Sequence, residues 1–181
     1  GGALANRARA LLDVVKTVRA AVGPNFPVAV KLNSADFQKG GFAFAESLQV
    51  AQWLEAAGID LLEISGGTYE QPKLLGVAGL EEEEPQHLAP STLLREAYFL
   101  DFALAMRDKV SMPLMVTGGF RRREAMEQAI TAGGADLIGL GRPLCVVTDA
   151  PGDCAAKGVS RVQANITSAY NYKERWSLTS A

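Results

Sequence analysis

Histidine is nearly missing from this chain: His87 is the only one among 181 residues. A Ser-His-Asp triad or a histidine-dominated metal site therefore has almost nothing to be built from. Cysteine is almost as scarce. Cys145 and Cys154 are the only two, and their spacing is neither a zinc pairing nor a disulfide framework. They read as reduced thiols, and the chain as a cytoplasmic protein. No apolar run approaches the roughly 20 residues that cross a bilayer, and the opening Gly-Gly and helical pattern carry no secretory signal, so no membrane partner is expected. Charge of one sign is lacking too. The net charge is −2 with 18 basic residues spread along the chain, which argues against a nucleic-acid surface. The acidic run, Glu81 to Glu84, lacks the alternation of a metal-binding loop and reads as a solubilising segment. No metal site is expected.

What is present is the composition of a globular domain with a sizeable core: 48% hydrophobic and 21% charged residues. The first residues begin a helix within one or two positions and without an initiator Met, so the chain is expected to be a piece of a longer protein. In residues 4–22, Leu4, Ala8, Leu11, Leu12, Val15, Val18 and Val22 recur at helical spacing. Gly23-Pro24 stops that helix. Then come a strand in "PVAVKL", a helix over about 44–57, and a strand in "IDLLEIS" that ends at Gly66-Gly67. Residues 68–90, with four consecutive glutamates and three prolines, are predicted as an exposed loop. Ser91 could cap a helix running to about Asp108. A strand in "PLMVTG", a helix over 122–132, a strand in "ADLIGLG" and a helical stretch from about 161 to 175 complete the pattern.

Strands alternating with helices, the strands mostly apolar, predict a parallel α/β sheet with helices packed on it. Two architectures fit: a small open doubly wound sheet, or one half of an eight-stranded barrel, which as a whole takes about 250 residues. In both, function collects at the carboxyl ends of the strands. Every unusual residue falls there. Gly118-Gly119 follows one strand, and Gly141-Arg142-Pro143 follows the next. Glycines let backbone N–H groups approach a ligand closely, the helix after them adds an anion-binding terminus, and an arginine forks onto phosphate oxygens. Two such ends in succession predict a phosphate site.

Lys31 is the other outlier. It interrupts an apolar strand, where it could hold negative charge, form a Schiff base or extend to solvent. Glu63 poses the same question one strand later. Arg121, Arg122 and Arg123 open the helix after Gly118-Gly119, where positive charge opposes the dipole; they read as a solvated turn. Tyr69 and Glu70 read as exposed loop residues.

Taken together and in order, "GGALANRARALLDVV", "VAVKLNS", "LEISGGTYE", "VTGGF" and "ADLIGLGRPL" resemble the C-terminal half of the old yellow enzyme family, the FMN-dependent NAD(P)H:flavin oxidoreductases. The nearest likeness is to bacterial NADH oxidases and 2,4-dienoyl-CoA reductases. The resemblance covers nearly the whole chain and thins after about residue 150. It implies that residues 1–181 form part of a TIM (β/α)8 barrel, about strands five to eight, with 150–181 as a helical tail. It further implies that Gly118, Gly119, Gly141 and Arg142 hold the FMN phosphate. Lys31 then falls in the fifth strand near the flavin N1 and O2 edge, where arginine is more usual. A cation there favours the reduced flavin.

The family's substrate-orienting histidine pair and proton-donating tyrosine belong around the fourth strand, upstream of Gly1, so no catalytic residue is expected in this chain and the piece alone is expected not to turn over. The intact protein would pass hydride from NAD(P)H to FMN and on to a small molecule with an activated double bond. Two other readings stay open from the residues: a phosphate-handling barrel lyase or isomerase using Lys31, and a stand-alone α/β binding module. A half barrel also leaves two sheet edges open, which favours pairing with another copy.

Overall fold

The computed structural model describes residues 2–37, 39–66, 97, 99–141 and 144. Among them the order is α1 (Leu4–Val22), β1 (Ala29–Asn33), α2 (Phe44–Ala56), β2 (Leu61–Ser65), α3 (Leu100–Arg107), β3 (Leu114–Thr117), α4 (Arg123–Thr131) and β4 (Leu137–Gly139). The strands form one parallel sheet in the order β1-β2-β3-β4. Each strand thus lies beside the one that follows it in sequence, as βα repeats are expected to do. The predicted loop at 68–90, the cap at Ser91 and the tail at 150–181 lie outside the described residues.

Strand alternation sorts side chains onto two faces. Leu62, Ile64, Leu114 and Val116 are at most 1% exposed. They share a single buried cluster with Ala8 and Val15 of α1, Val50, Ala51 and Leu54 of α2, Ala103 and Met106 of α3, and Ala125 and Ala129 of α4. The helices therefore cover that face. Register puts the alternate residues on the other face, which carries no described helix: Lys31 beside Glu63, Glu63 beside Met115, and Met115 beside Leu137. The apolar stripe expected along α1 is buried at Ala8 and Val15, but Val18 and Val22 stay 39% exposed.

At the amino ends of the strands the same clasp occurs twice. Arg19, in the last turn of α1, donates to the carbonyls of Gly58 and Phe26 and pairs with Asp60. Asp60 in turn accepts from the Val28 N–H at 2.7 Å, while its own N–H donates to the Val28 carbonyl at 2.8 Å. Two strands later Arg107, closing α3, donates to the Gly133 carbonyl and pairs with Asp136 at 2.6 Å. Asp136 accepts from the Leu114 N–H and donates back to the Leu114 carbonyl, both at 2.8 Å. Each clasp ties the end of one helix to the starts of two neighbouring strands. Between them, Glu55 accepts from Ser111 and from the Met112 N–H.

These hydrogen bonds act on the ionised carboxylates. The Val28 N–H, and then Arg19, hold Asp60 below its ordinary value of 3.8; the Leu114 N–H, and then Arg107, do the same for Asp136. A carboxylate with a lower value in the folded state stabilises fully above the unfolded value and loses that contribution as pH falls through the folded one. The two clasps should therefore be intact above about pH 5 and weaken below 3.8. In acid titrations of stability, Asp60→Asn/Asp136→Asn should be less stable at neutral pH and show a shallower loss below pH about 4. An unchanged acid slope would mean that the clasps do not set it.

Candidate functional site

The helix-free face carries two successive rows of side chains across the sheet. The lower row is Lys31, Glu63, Met115 and Leu137; nearer the carboxyl ends, Asn33 lies beside Ser65 and Thr117 beside Gly139. Lys31 and Glu63 are the only charged residues that the described strands place on it, and they meet as an ion pair, Nζ to Oε1, at 3.0 Å. Read from the sequence they were two separate puzzles; the register of β1 on β2 makes them one. The lysine side chain is 57% exposed and the glutamate 20%, so the acid lies deeper and the cation reaches outward.

The row above is more polar. Asn33 donates to Asp36 at 3.1 Å and Ser65 to Asn33 at 3.4 Å, while the buried Ser47 hydroxyl of α2 donates to the Asn33 carbonyl at 2.9 Å. The loop after β1 is pinned by aromatic contacts: Phe37 packs on Phe102 with centroids 5.9 Å apart, and Phe102 on Phe44 at 4.9 Å. Phe37 holds φ of 55°, a conformation that disfavours side chains with a Cβ, so its packing against the helices holds the loop in a strained form.

The end of β3, where the phosphate expectation falls, has three notable features. Gly118 and Gly119 have φ of 140° and 84°, regions that glycine enters without a steric penalty. Thr117 points a buried hydroxyl that has no hydrogen-bond partner, an unusual state for a buried polar group. No side chain caps the start of α4, and its first-turn N–H groups are the kind that bind anions. Gly139 closes the neighbouring strand, and a Cβ there would come within 1.8 Å of the Thr117 hydroxyl. The backbone of β4 is therefore as close to Thr117 as a glycine allows. Backbone N–H groups and a free hydroxyl in this arrangement are able to hold an anion.

The three arginines differ from the expectation that all of them open the helix. Only Arg123 lies in α4, where it pairs with Glu127 at 2.6 Å, the (i, i+4) spacing that offsets its poor position on the dipole. Arg122 is the N-cap, in extended backbone, and Arg121 precedes it. Gly141 is described and exposed, whereas Arg142, Gly67, Tyr69, Glu70, His87, Cys145 and Cys154 lie outside the described residues. Sequence reasoning passed over Gly139 as a site residue, and took Thr117 only as the start of the strand-end stretch Thr117 to Gly119. The signal for Gly139 was available: it is the one glycine inside the apolar run "ADLIGL", and an isolated strand glycine marks close backbone approach.

A family model described as the NADH:flavin oxidoreductase / NADH oxidase family matches residues 1–152. The chain is 40% identical over 147 residues to the NADH-dependent flavin oxidoreductase iliE of Neonectria sp. (strain DH2), covering 81% of this chain and 19% of that protein. Among solved structures, a 2-naphthoyl-CoA reductase in complex with 2-naphthoyl-CoA superposes with a TM-score of 0.70 at 28% identity, over 85% of this chain and 22% of the other. An old yellow enzyme homologue from Zymomonas mobilis superposes with a TM-score of 0.61 at 25% identity, over 92% and 41%. The chain spans well under half the length of each.

Proposed function

The chain belongs to the NADH:flavin oxidoreductase / NADH oxidase family, and from that premise we propose that it forms about the fifth to eighth strands of a barrel flavoprotein and carries its FMN-phosphate half. One observation bears most of the weight. The positive-φ pair Gly118-Gly119, the unpartnered Thr117 hydroxyl and the uncapped start of α4 meet at one strand end. Gly141 lies at the next, and Arg142 follows it in sequence. Among the described residues β1 and β4 are the outer strands of the order, which suits a sheet that continues through further strands, as a closed barrel requires.

In this reading Gly118, Gly119 and Gly141 present backbone to the phosphate, and Arg142 supplies its counter-charge. Lys31, on the helix-free face, supports the isoalloxazine edge that gains negative charge. When bound, FMN would supply hydride chemistry, taking two electrons and a proton from NAD(P)H and passing them to a small molecule with an activated double bond. No catalytic side chain is assigned within this chain. A Schiff-base role for Lys31 has less support: a carboxylate at 3.0 Å suits a residue that holds positive charge better than one that attacks carbon as a neutral amine.

The test uses the full-length protein that contains this chain. Its visible spectrum should show a flavin band, and denaturation should release FMN. The preference for FMN over riboflavin, which lacks the phosphate, should fall about 10- to 100-fold in Arg142→Ala, the range expected for hydrogen bonds to a charged group. A colourless protein that stays colourless with added FMN would refute the assignment.

A further inference from the structure

The ion pair between Lys31 and Glu63 does not read as a device for stability. An exposed pair contributes about 0–1 kcal/mol, and here the lysine is more than half exposed. Its position says more. Glu63 is the only acidic residue that the described strands place on the helix-free face, and it is the less exposed partner, flanked by Lys31 on β1 and Met115 on β3. A carboxylate so placed does two things. It fixes where the ammonium sits, and it subtracts from the positive potential that the ammonium projects over the face.

We propose that Glu63 is a positioning residue that sets how strongly Lys31 favours reduction of a flavin bound on this face. The inference rests on the assignment of Lys31 to the flavin edge made above. A lone cation beside the ring would stabilise the negative charge that two-electron reduction leaves there, and a carboxylate 3.0 Å from that cation would oppose the same charge through Coulomb repulsion. Glu63 thereby lowers the reduction potential below the value that Lys31 alone would set. With flavin bound, the lower potential set by Glu63 would favour electron transfer to a substrate over uptake from the nicotinamide. Neither residue needs to exchange a proton or form a bond for this to operate.

The experiment is an equilibrium reduction of the FMN bound to the full-length protein against a reference dye, compared with Glu63→Gln, Glu63→Asp and Lys31→Met. Glu63→Gln keeps the size and a hydrogen-bond acceptor while removing the charge. It should move the reduction equilibrium about tenfold toward reduced flavin, which for a two-electron couple is about 30 mV positive. Glu63→Asp retains the charge and should stay close to the parent potential. Lys31→Met should shift the potential in the negative direction. A Glu63→Gln potential equal to or below the parent's, while Lys31→Met still falls, would overturn the role of Glu63. If both Glu63 variants lost FMN affinity with no shift in potential, Glu63 would be a structural residue only, and the proposal would fail. If Lys31→Met left the potential where it was, the placement of Lys31 at the flavin edge would itself be wrong.

Discussion

With Lys31 at the flavin edge as proposed, Lys31→Met in the FMN-loaded protein is expected to slow flavin reduction by NAD(P)H about a hundredfold, the scale seen when one preorganised charge is removed from a developing anion. Lys31 is the one cation that the described strands place on the helix-free face, and Glu63 holds its ammonium at 3.0 Å. Methionine matches the length of the aliphatic stem closely enough to leave the packing of β1 in place. The substitution therefore removes charge more than shape. Because the interaction grows as negative charge develops on the ring, kcat and kcat/KM should fall together while the affinity for the nicotinamide nucleotide holds. Stopped-flow bleaching of the flavin band measures the step directly. Lys31→Arg, which keeps the charge, should recover most of the rate. A Lys31→Met protein that is reduced at the parent's rate would remove Lys31 from the flavin site.

The second large effect is structural. Gly139→Ala should destabilise the fold by about 3 kcal/mol, at the upper end of ordinary overpacking. For a chain of this size that corresponds to a fall in Tm of roughly 6–12 °C. The added Cβ would meet the Thr117 hydroxyl at 1.8 Å and the Thr117 Cβ at 2.8 Å. Both atoms belong to a β-branched residue of a strand, stiff at χ1, so neither retreats cheaply. Gly134 is an instructive contrast. A Cβ there would come within 2.5 Å of the Leu100 Cδ1, the far end of a side chain that can change rotamer, so Gly134→Ala should cost much less. Thr117→Ala should recover part of the Gly139→Ala loss but not all, because the 2.8 Å contact between the two Cβ positions remains. Thermal melting of the two single variants and the double variant decides it. A Gly139→Ala melt within a degree or two of the parent would mean that β3 and β4 separate easily at their ends.

Much of the element order was open to reading from the sequence because periodicity reports burial. The alternation of Leu62 and Ile64 with Leu61, Glu63 and Ser65 distinguishes a strand with one helix-covered face. Glycine stops such as Gly23 and Gly58, both at positive φ, mark where chains turn. The paired glycines at 118–119 were identifiable for the same reason: their position after an apolar run already implied a turn in a left-handed region, which is where both φ values fall. Other features had no local signature. The clasps of Arg19 with Asp60 and of Arg107 with Asp136 join residues 41 and 29 positions apart. Only afterwards does the shared pattern "GID" and "GAD" before a strand become meaningful.

By itself, then, the sequence determined a parallel α/β arrangement, the turns at which it closes, and the residue types able to hold an anion at the ends of β3 and β4. Those properties follow from side-chain size, polarity and backbone freedom, which act over a few residues. The tertiary structure alone decided that Lys31 and Glu63 form a pair, that the Thr117 hydroxyl has no partner, and that Gly139 leaves no room for a Cβ. Each depends on the register between strands. Shifting that register by a single residue would send Glu63 to the helix-covered face, and no local property of either strand specifies which neighbour it will meet.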